Sequence, residues 1–437
     1  MPIILLATEH LHDTKSLVIA SDARNGVPAA ASMPRVRLDY LDGLRGLAAL
    51  FVLLHHAHAE LDYRYAAEGL KPWLSATKVL SWGHFSVSVF IILSGYCLML
   101  PVARSRAGEL RGGFADYIWR RARRILPPYY VALAISLLII WLYPGLRYAY
   151  SHDWDVPVKA FTPGILLSHG FLIHNFSPDW IDRIDLPMWS VATEWQIYFI
   201  FPAILLPVWR RWNIGPLIVV GFLLGWMPRW LGLRSLDVAC FWFIGLFAQG
   251  MAAALINFST DPQAVRLRNG CKWGWISACC WVGVLVAGLF LSKHGLVKEY
   301  RWLTDFFVGL AAASMIVACT KRMTDHAGEP YPVLLKIFNH RWAVALGVFS
   351  YSLYLIHYPL LALSNSVMSG LHIAPRINFL ISFSVIVPII VALAYLFHLV
   401  FERPFMPGHL GANRSPAKAD DSPAPAPNIQ AIQAHTP

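Results

Sequence analysis

Along this chain, long apolar runs alternate with short connections that are polar and often basic. Runs long enough to cross a bilayer as helices fall at 41–58, 80–100, 125–142, 188–209, 214–231, 237–256, 273–291, 303–319, 342–363 and 377–401. The pattern predicts an all-α fold: a polytopic membrane helix bundle with about ten transmembrane helices. Phe161 to Phe176 is apolar but too short, and too rich in His and Pro, to span; it reads as a re-entrant or interfacial piece. Three regions follow: a cytosolic N-terminal arm at 1–40, a ten-helix membrane domain at 41–405, and a disordered cytosolic tail at 406–437, rich in Pro, Ala and Ser.

Composition fixes the solvent. Of 437 residues, 57% are hydrophobic and 14% charged, too little charge for a soluble chain of this size. The net charge of +11 does not point to nucleic acid, because the basic residues are spread between apolar runs instead of forming one face. They report topology. With a cytosolic N-terminus, inside segments carry 23 of the 36 lysines and arginines and outside loops 12, Arg45 being the remaining one. That bias predicts an inner-membrane protein with both termini cytosolic. The six cysteines lie in or beside apolar runs without CxxC spacing, so neither a disulfide framework nor a metal site is supported.

Ionisable groups inside such runs are costly and mark candidate chemistry. In LDGLRGLAALFVLLHHAH, Arg45 and His56 are eleven residues apart. On a helix they share a face to within about 20° and stand roughly 16 Å apart along the axis. Two readings stay open: a path for an extended anionic molecule, or a snorkelling arginine and a helix-packing histidine. In WRRARRILPPYY, Arg121 and Arg124 can present two guanidinium forks on one face, suited to phosphate, or can simply enforce topology. Ser94 and Gly95 are small residues that admit a thin ligand arm or a neighbouring helix. Glu194, in MWSVATEWQIYFIFP, can orient a histidine, bind sugar hydroxyls or tie helices together, and Trp189 can anchor the interface or stack on a sugar. FSYSLYLIHYPLL, with Tyr351 and His357, is polar enough to line a hydrated cavity. The predicted topology puts His56, Glu194 and His357 at similar depth on the outer side and the arginines on the inner side.

In order and spacing, LDGLRG with Arg45 and His56, FIILSGY, RRARRILPPYY with Arg121 and Arg124, WSVATEWQIYFIFP, SYSLYLIHYPL and FERPF resemble the acyltransferase 3 family over residues 39–405. The resemblance implies transfer of an acyl group, most often acetyl, from cytosolic acyl-CoA to a hydroxyl of a carbohydrate across the membrane. It implies His56 as the central catalytic residue and Arg45, Arg121 and Arg124 as donor-binding groups. Ser94 and Gly95 fall on the acyl-CoA side of this scheme, Glu194 beside His56 in catalysis, and His357, Tyr351 and Trp189 in the acceptor-side cavity. Acetyl-CoA is then a donor substrate, and no metal is implied. Two departures stand out. Trp195 occupies the place where many relatives have a second acidic residue after Glu194. Some relatives also continue into an esterase-like domain; with only about thirty residues after the last helix, later acyl handling is expected from a separate periplasmic protein. A transporter or flippase for lipid-linked sugars is the competing class, because its helices also hold buried charges, and a non-catalytic membrane partner is the third.

Overall fold

The computed structural model describes residues 38–65, 70–105, 108–143, 162–297, 299–326, 328–371 and 373–406. The arm at 1–37 and the tail at 407–437 lie outside the described residues. Within them the chain is helical, and no strand occurs among the described residues.

The principal helices are α1 (Asp39–Tyr65), α2 (His84–Arg104), α3 (Gly113–Leu142), α4 (Pro163–Gly170), α5 (Met188–Trp212), α6 (Ile214–Trp230), α7 (Phe243–Phe258), α8 (Trp273–Lys293), α9 (Arg301–Asp325), α10 (Arg341–Val348), α11 (Ser350–Gly370) and α12 (Pro375–Phe405). Among the described residues, seven helical spans are long and apolar enough to cross a membrane, and α10 with α11 makes an eighth as a pair bent by 74°. The other two predicted runs are also helical. α6 has 17 residues, and α1 carries charged residues at both ends and three histidines within.

Two boundaries differ from the apolar pattern. α3 begins at Gly113, a full three turns before the apolar run, because Arg120 to Arg124 interrupt hydropathy but not helix propensity. Gly112, at φ +77°, starts it from a left-handed conformation that glycine adopts without strain. The run at 342–363 is broken at Phe349, where the side-chain pattern gives no sign of a bend. Ser350 Oγ donates to the Gly347 carbonyl at 2.9 Å and satisfies one of the groups freed there. α4 is one capped turn pair: Thr162 Oγ1 accepts from the Ile165 N–H, in keeping with a piece too short to span.

The centre of the bundle is α7, buried along its whole length and packed on α2, α6 and α9. Glycines set the α2–α7 spacing. A Cβ on Gly95 would run into the Phe247 carbonyl oxygen, and one on Gly250 into that of Ile92, so the two backbones meet directly. α1 lies against α10, α11 and α2, with Gly46 seated on the Ala343 and Gly347 backbone. This close seat carries α1, and with it Arg45 and His56, alongside α11.

Candidate functional site

One cavity runs between α1, α2, α3, α5 and α11. Arg45, Arg121 and Arg124 line it, together with Ser94, Cys97, Glu194, Tyr198, Ser350 and Tyr351, and it continues to Ser190 and Tyr354. Each helix contributes by its own periodicity. Arg121 and Arg124, three residues apart on α3, face the cavity together. Arg120, one position off, instead pairs with Asp116 and donates to the Arg111 carbonyl on the outer face of α3. Ser190, Glu194 and Tyr198 are one helical turn apart on α5, and Tyr351 and Tyr354 fall on one face of α11.

Hydrogen bonds hold this arginine-lined end in shape. Arg45 Nη1 donates to Asp42 Oδ1 at 2.6 Å and Nη2 approaches Cys97 Sγ at 3.5 Å. The Tyr198 hydroxyl donates to Glu194 Oε1 at 2.6 Å and lies 3.2 Å from Ser94 Oγ. Tyr351 donates to the Ile125 carbonyl at 3.1 Å, tying α11 to α3. Among the described residues Arg121 Nε is buried without a hydrogen-bond partner, a donor whose desolvation no described group offsets by a hydrogen bond.

At the other end, Ser190 Oγ and the Tyr354 hydroxyl are 2.6 Å apart. The Tyr354 ring lies 5.8 Å from the ring of His357, which in turn lies 5.2 Å from that of His56. Tyr358 and His55 complete the surround of His56, at 5.2 Å and 4.9 Å between ring centres. Arginine forks at one end can hold a long anionic molecule by its head, and Ser190 and Tyr354 at the other stand next to a pair of histidines that can act as bases.

The structure brings Arg45, Arg121, Arg124, Ser94 and Tyr351 together in this cavity, and sets His56 and His357 side by side outside its lining, next to Tyr354 through the His357 ring. Three residues lie elsewhere than the sequence suggests. Glu194 shares the cavity wall with the arginines, one turn further along α5 than Ser190, and its hydrogen bond goes to Tyr198 instead of to a histidine. Gly95 faces α7, because the small side of α2 is used for backbone contact there. Trp189 turns from the cavity to stack on His84, 6.2 Å away at an interplanar angle of 12°. Trp195, in place of the second acid, packs edge-on against Phe199.

Ser190 and Tyr198 are cavity residues that the sequence does not single out, whereas Tyr354 belongs to the polar stretch FSYSLYLIHYPLL expected to line a cavity. Serine and tyrosine are common in membrane helices, so only the i, i+4 spacing of Ser190 and Tyr198 about Glu194 carried a signal. A second polar node, also unforeseen, sits in the core. Asp305 Oδ2 accepts from His84 Nε2 and Trp242 Nε1, both at 2.9 Å, and Oδ1 accepts from Ser88 Oγ at 2.8 Å.

Comparison with known proteins decides the family. A family described as an acyltransferase domain matches residues 38–399, most of the chain. The chain belongs to the acyltransferase 3 family. Among curated acyltransferase 3 relatives, it is 25% identical to the peptidoglycan O-acetyltransferase OatA of Listeria monocytogenes over 354 residues, covering 75% of this chain and 50% of that protein. It is 25% identical to the putative peptidoglycan O-acetyltransferase YrhL of Bacillus subtilis, covering 75% and 49%. It is 22% identical to the O-acetyltransferase OatA of Staphylococcus aureus, covering 75% and 51%. The chain thus spans about half the length of the curated relatives it matches. No solved structure matches it.

Proposed function

We propose that this acyltransferase 3 protein moves an acyl group, acetyl by analogy with the names of its relatives, from cytosolic acyl-CoA to a hydroxyl of an envelope or secreted carbohydrate. Peptidoglycan, which the relatives' names give, is the first acceptor to test. The observation that carries the reading is the single cavity that begins among Arg45, Arg121 and Arg124 and ends at Ser190 and Tyr354, against the His357–His56 pair. Coenzyme A is an anionic nucleotide on a long pantetheine arm. The roughly 16 Å of helix between Arg45 and His56 is comparable with that arm.

In this proposal the arginines hold the phosphates and Ser94 borders the arm. Glu194, kept in place by Tyr198, balances the arginine charge from the opposite wall and accepts from pantetheine amides. The thioester then reaches His56. Neutral His56 takes the proton of the acceptor hydroxyl as its oxygen attacks the thioester carbonyl. The new C–O bond forms, the C–S bond breaks, and the departing thiolate takes the proton from the imidazolium. The lysine and arginine bias of the connections supports an arginine end facing the cytosol and a histidine end facing outward, and in this proposal donor and acceptor arrive from opposite sides.

The test is acyl transfer, or acyl-CoA hydrolysis, by purified protein with His56→Ala as the control, combined with mass spectrometry of envelope and secreted glycans from deletion and complemented strains. The expected result is loss of acyl marks on deletion and no transfer by the variant. Full transfer by a folded, membrane-inserted His56→Ala protein would overturn the role of the histidine, and an unchanged glycan profile would overturn the acceptor class. A flippase would show neither hydrolysis nor transfer.

A further inference from the structure

Four histidines, three on α1 and one on α11, are divided by their hydrogen bonds. His55 Nδ1 lies 2.8 Å from the Leu80 carbonyl, and His58 Nε2 lies 3.3 Å from that of Leu74. His357 Nδ1 lies 2.8 Å from the Tyr354 carbonyl and 3.1 Å from that of Leu353. A carbonyl only accepts, so each of these nitrogens carries the proton and the tautomer of each ring is set by the backbone. His56 is different: among the described residues its ring makes no hydrogen bond to the protein, which leaves both nitrogens available for chemistry.

The consequence falls on His357. With Nδ1 holding the proton, its Nε2 presents a lone pair, and that atom is buried with no partner among the described residues, on a residue only 1% exposed. A stranded acceptor so deep in the bundle is costly unless something donates to it. The ring next to it across the helix interface is His56, centre to centre 5.2 Å away.

We propose that His357 is the positioning residue of the reaction: its Nε2 accepts the N–H of His56 during turnover and so fixes which His56 nitrogen is the base. The relay is Leu353 and Tyr354 carbonyls, His357, His56, acceptor hydroxyl, with α11 doing what a buried carboxylate does for the histidine of a hydrolase triad. A backbone-anchored imidazole supplies the orienting acceptor without placing a second charge in the membrane. This inference rests on His56 being the base, as proposed above.

Two variants separate orientation from packing. His357→Leu keeps the volume and removes the acceptor; His357→Gln keeps an acceptor oxygen close to the former Nε2. The expected result is a fall in kcat of about 100-fold or more for His357→Leu, an unchanged KM for acyl-CoA, and recovery of at least a tenth of wild-type kcat by His357→Gln. Wild-type kcat in His357→Leu, or equal loss in both variants, would overturn it. A direct measurement needs no stable variant: imidazole ¹⁵N shifts in histidine-labelled protein should show His357 protonated at Nδ1 and bare at Nε2, and the opposite tautomer would overturn the proposal. Inactive His56→Ala beside fully active His357→Leu removes this inference alone, whereas active His56→Ala removes the reading beneath it.

Discussion

Ser190 and Tyr354 join α5 to α11 through a 2.6 Å hydrogen bond, with the Pro187 carbonyl 3.2 Å from both hydroxyls. The bond sits one turn before Glu194 on one helix and one turn before His357 on the other. It therefore links the arginine-lined part of the cavity to the histidine end. Tyr354→Phe removes the link and little else. It is expected to cost about 1 kcal/mol in stability and to lower kcat while KM for acyl-CoA stays near wild type, as measured by thermal unfolding in detergent and by steady-state transfer. A normal kcat would detach this bond from catalysis.

Arg121 and Arg124 make a different claim, on binding. If both forks hold phosphate, Arg121→Ala is expected to raise the KM for acyl-CoA about 10- to 100-fold, the loss of one charge-assisted contact. Arg121→Lys should recover only part of it, since an ammonium keeps the charge and loses the fork. Titration with a non-hydrolysable acyl-CoA analogue checks both, and wild-type affinity in the alanine variant would return these arginines to a purely topological role.

The helices of this bundle were legible because a bilayer demands continuous apolar length, and all ten runs are helical. What hydropathy missed was geometry within helices. It started α3 too late because arginines are polar yet good helix formers, and it ran through the break at Phe349 because Ser350 and Ser352 are too few to interrupt an apolar run of that length. For the site, Arg45, Arg121, Arg124 and His56 stood out because charge and imidazole are rare in lipid. Glu194 was read as a partner of histidine because topology gives depth but not which side of a helix faces which neighbour. Ser190 and Tyr198 are uncharged at neutral pH and common in membrane helices, so their residue types do not set them apart in an apolar run.

Gly95 gives a prediction that separates packing from ligand contact. Its α-hydrogen face meets the Phe247 carbonyl, so Gly95→Ala forces α2 and α7 apart. The expected cost is about 1–3 kcal/mol, seen as a lower melting temperature, with KM for acyl-CoA unchanged in the protein that remains folded. A raised KM without destabilisation would put Gly95 back beside the donor.

Asp305 should be a stability residue. It is fully buried and takes hydrogens from His84, Ser88 and Trp242, which belong to α2 and the entry to α7. Asp305→Ala strands three donors at once, and a loss of about 3 kcal/mol or more is expected. Asp305→Asn, which keeps an acceptor for some of them, should lose less. Yield of folded protein and its melting temperature in detergent decide the order, and equal stability of all three proteins would contradict it.

The last prediction concerns pH. His169, in α4, and His174 just beyond it stack face to face, ring centres 4.1 Å apart, and both are buried. Burial pushes His169 down to about 4, against the helping bond to the Ile165 carbonyl. Burial and the neighbouring His169 ring push His174 down to about 3. Both are therefore neutral in the fold at pH values where the unfolded chain, with an ordinary histidine near 6.5, already binds protons. The unfolded state binds more protons, so stability is full above about 6.5 and falls as the pH drops toward 4 and 3. Buried Asp185, whose carboxyl is raised well above its usual value by burial, works in the opposite sense. Comparison with His174→Phe cancels that contribution, because Asp185 is present in both proteins and the phenyl ring preserves the stack. Between pH 6.5 and 4 the melting temperature of the wild type should fall more steeply than that of His174→Phe, and parallel curves would show that the pair does not set the acid sensitivity of this segment.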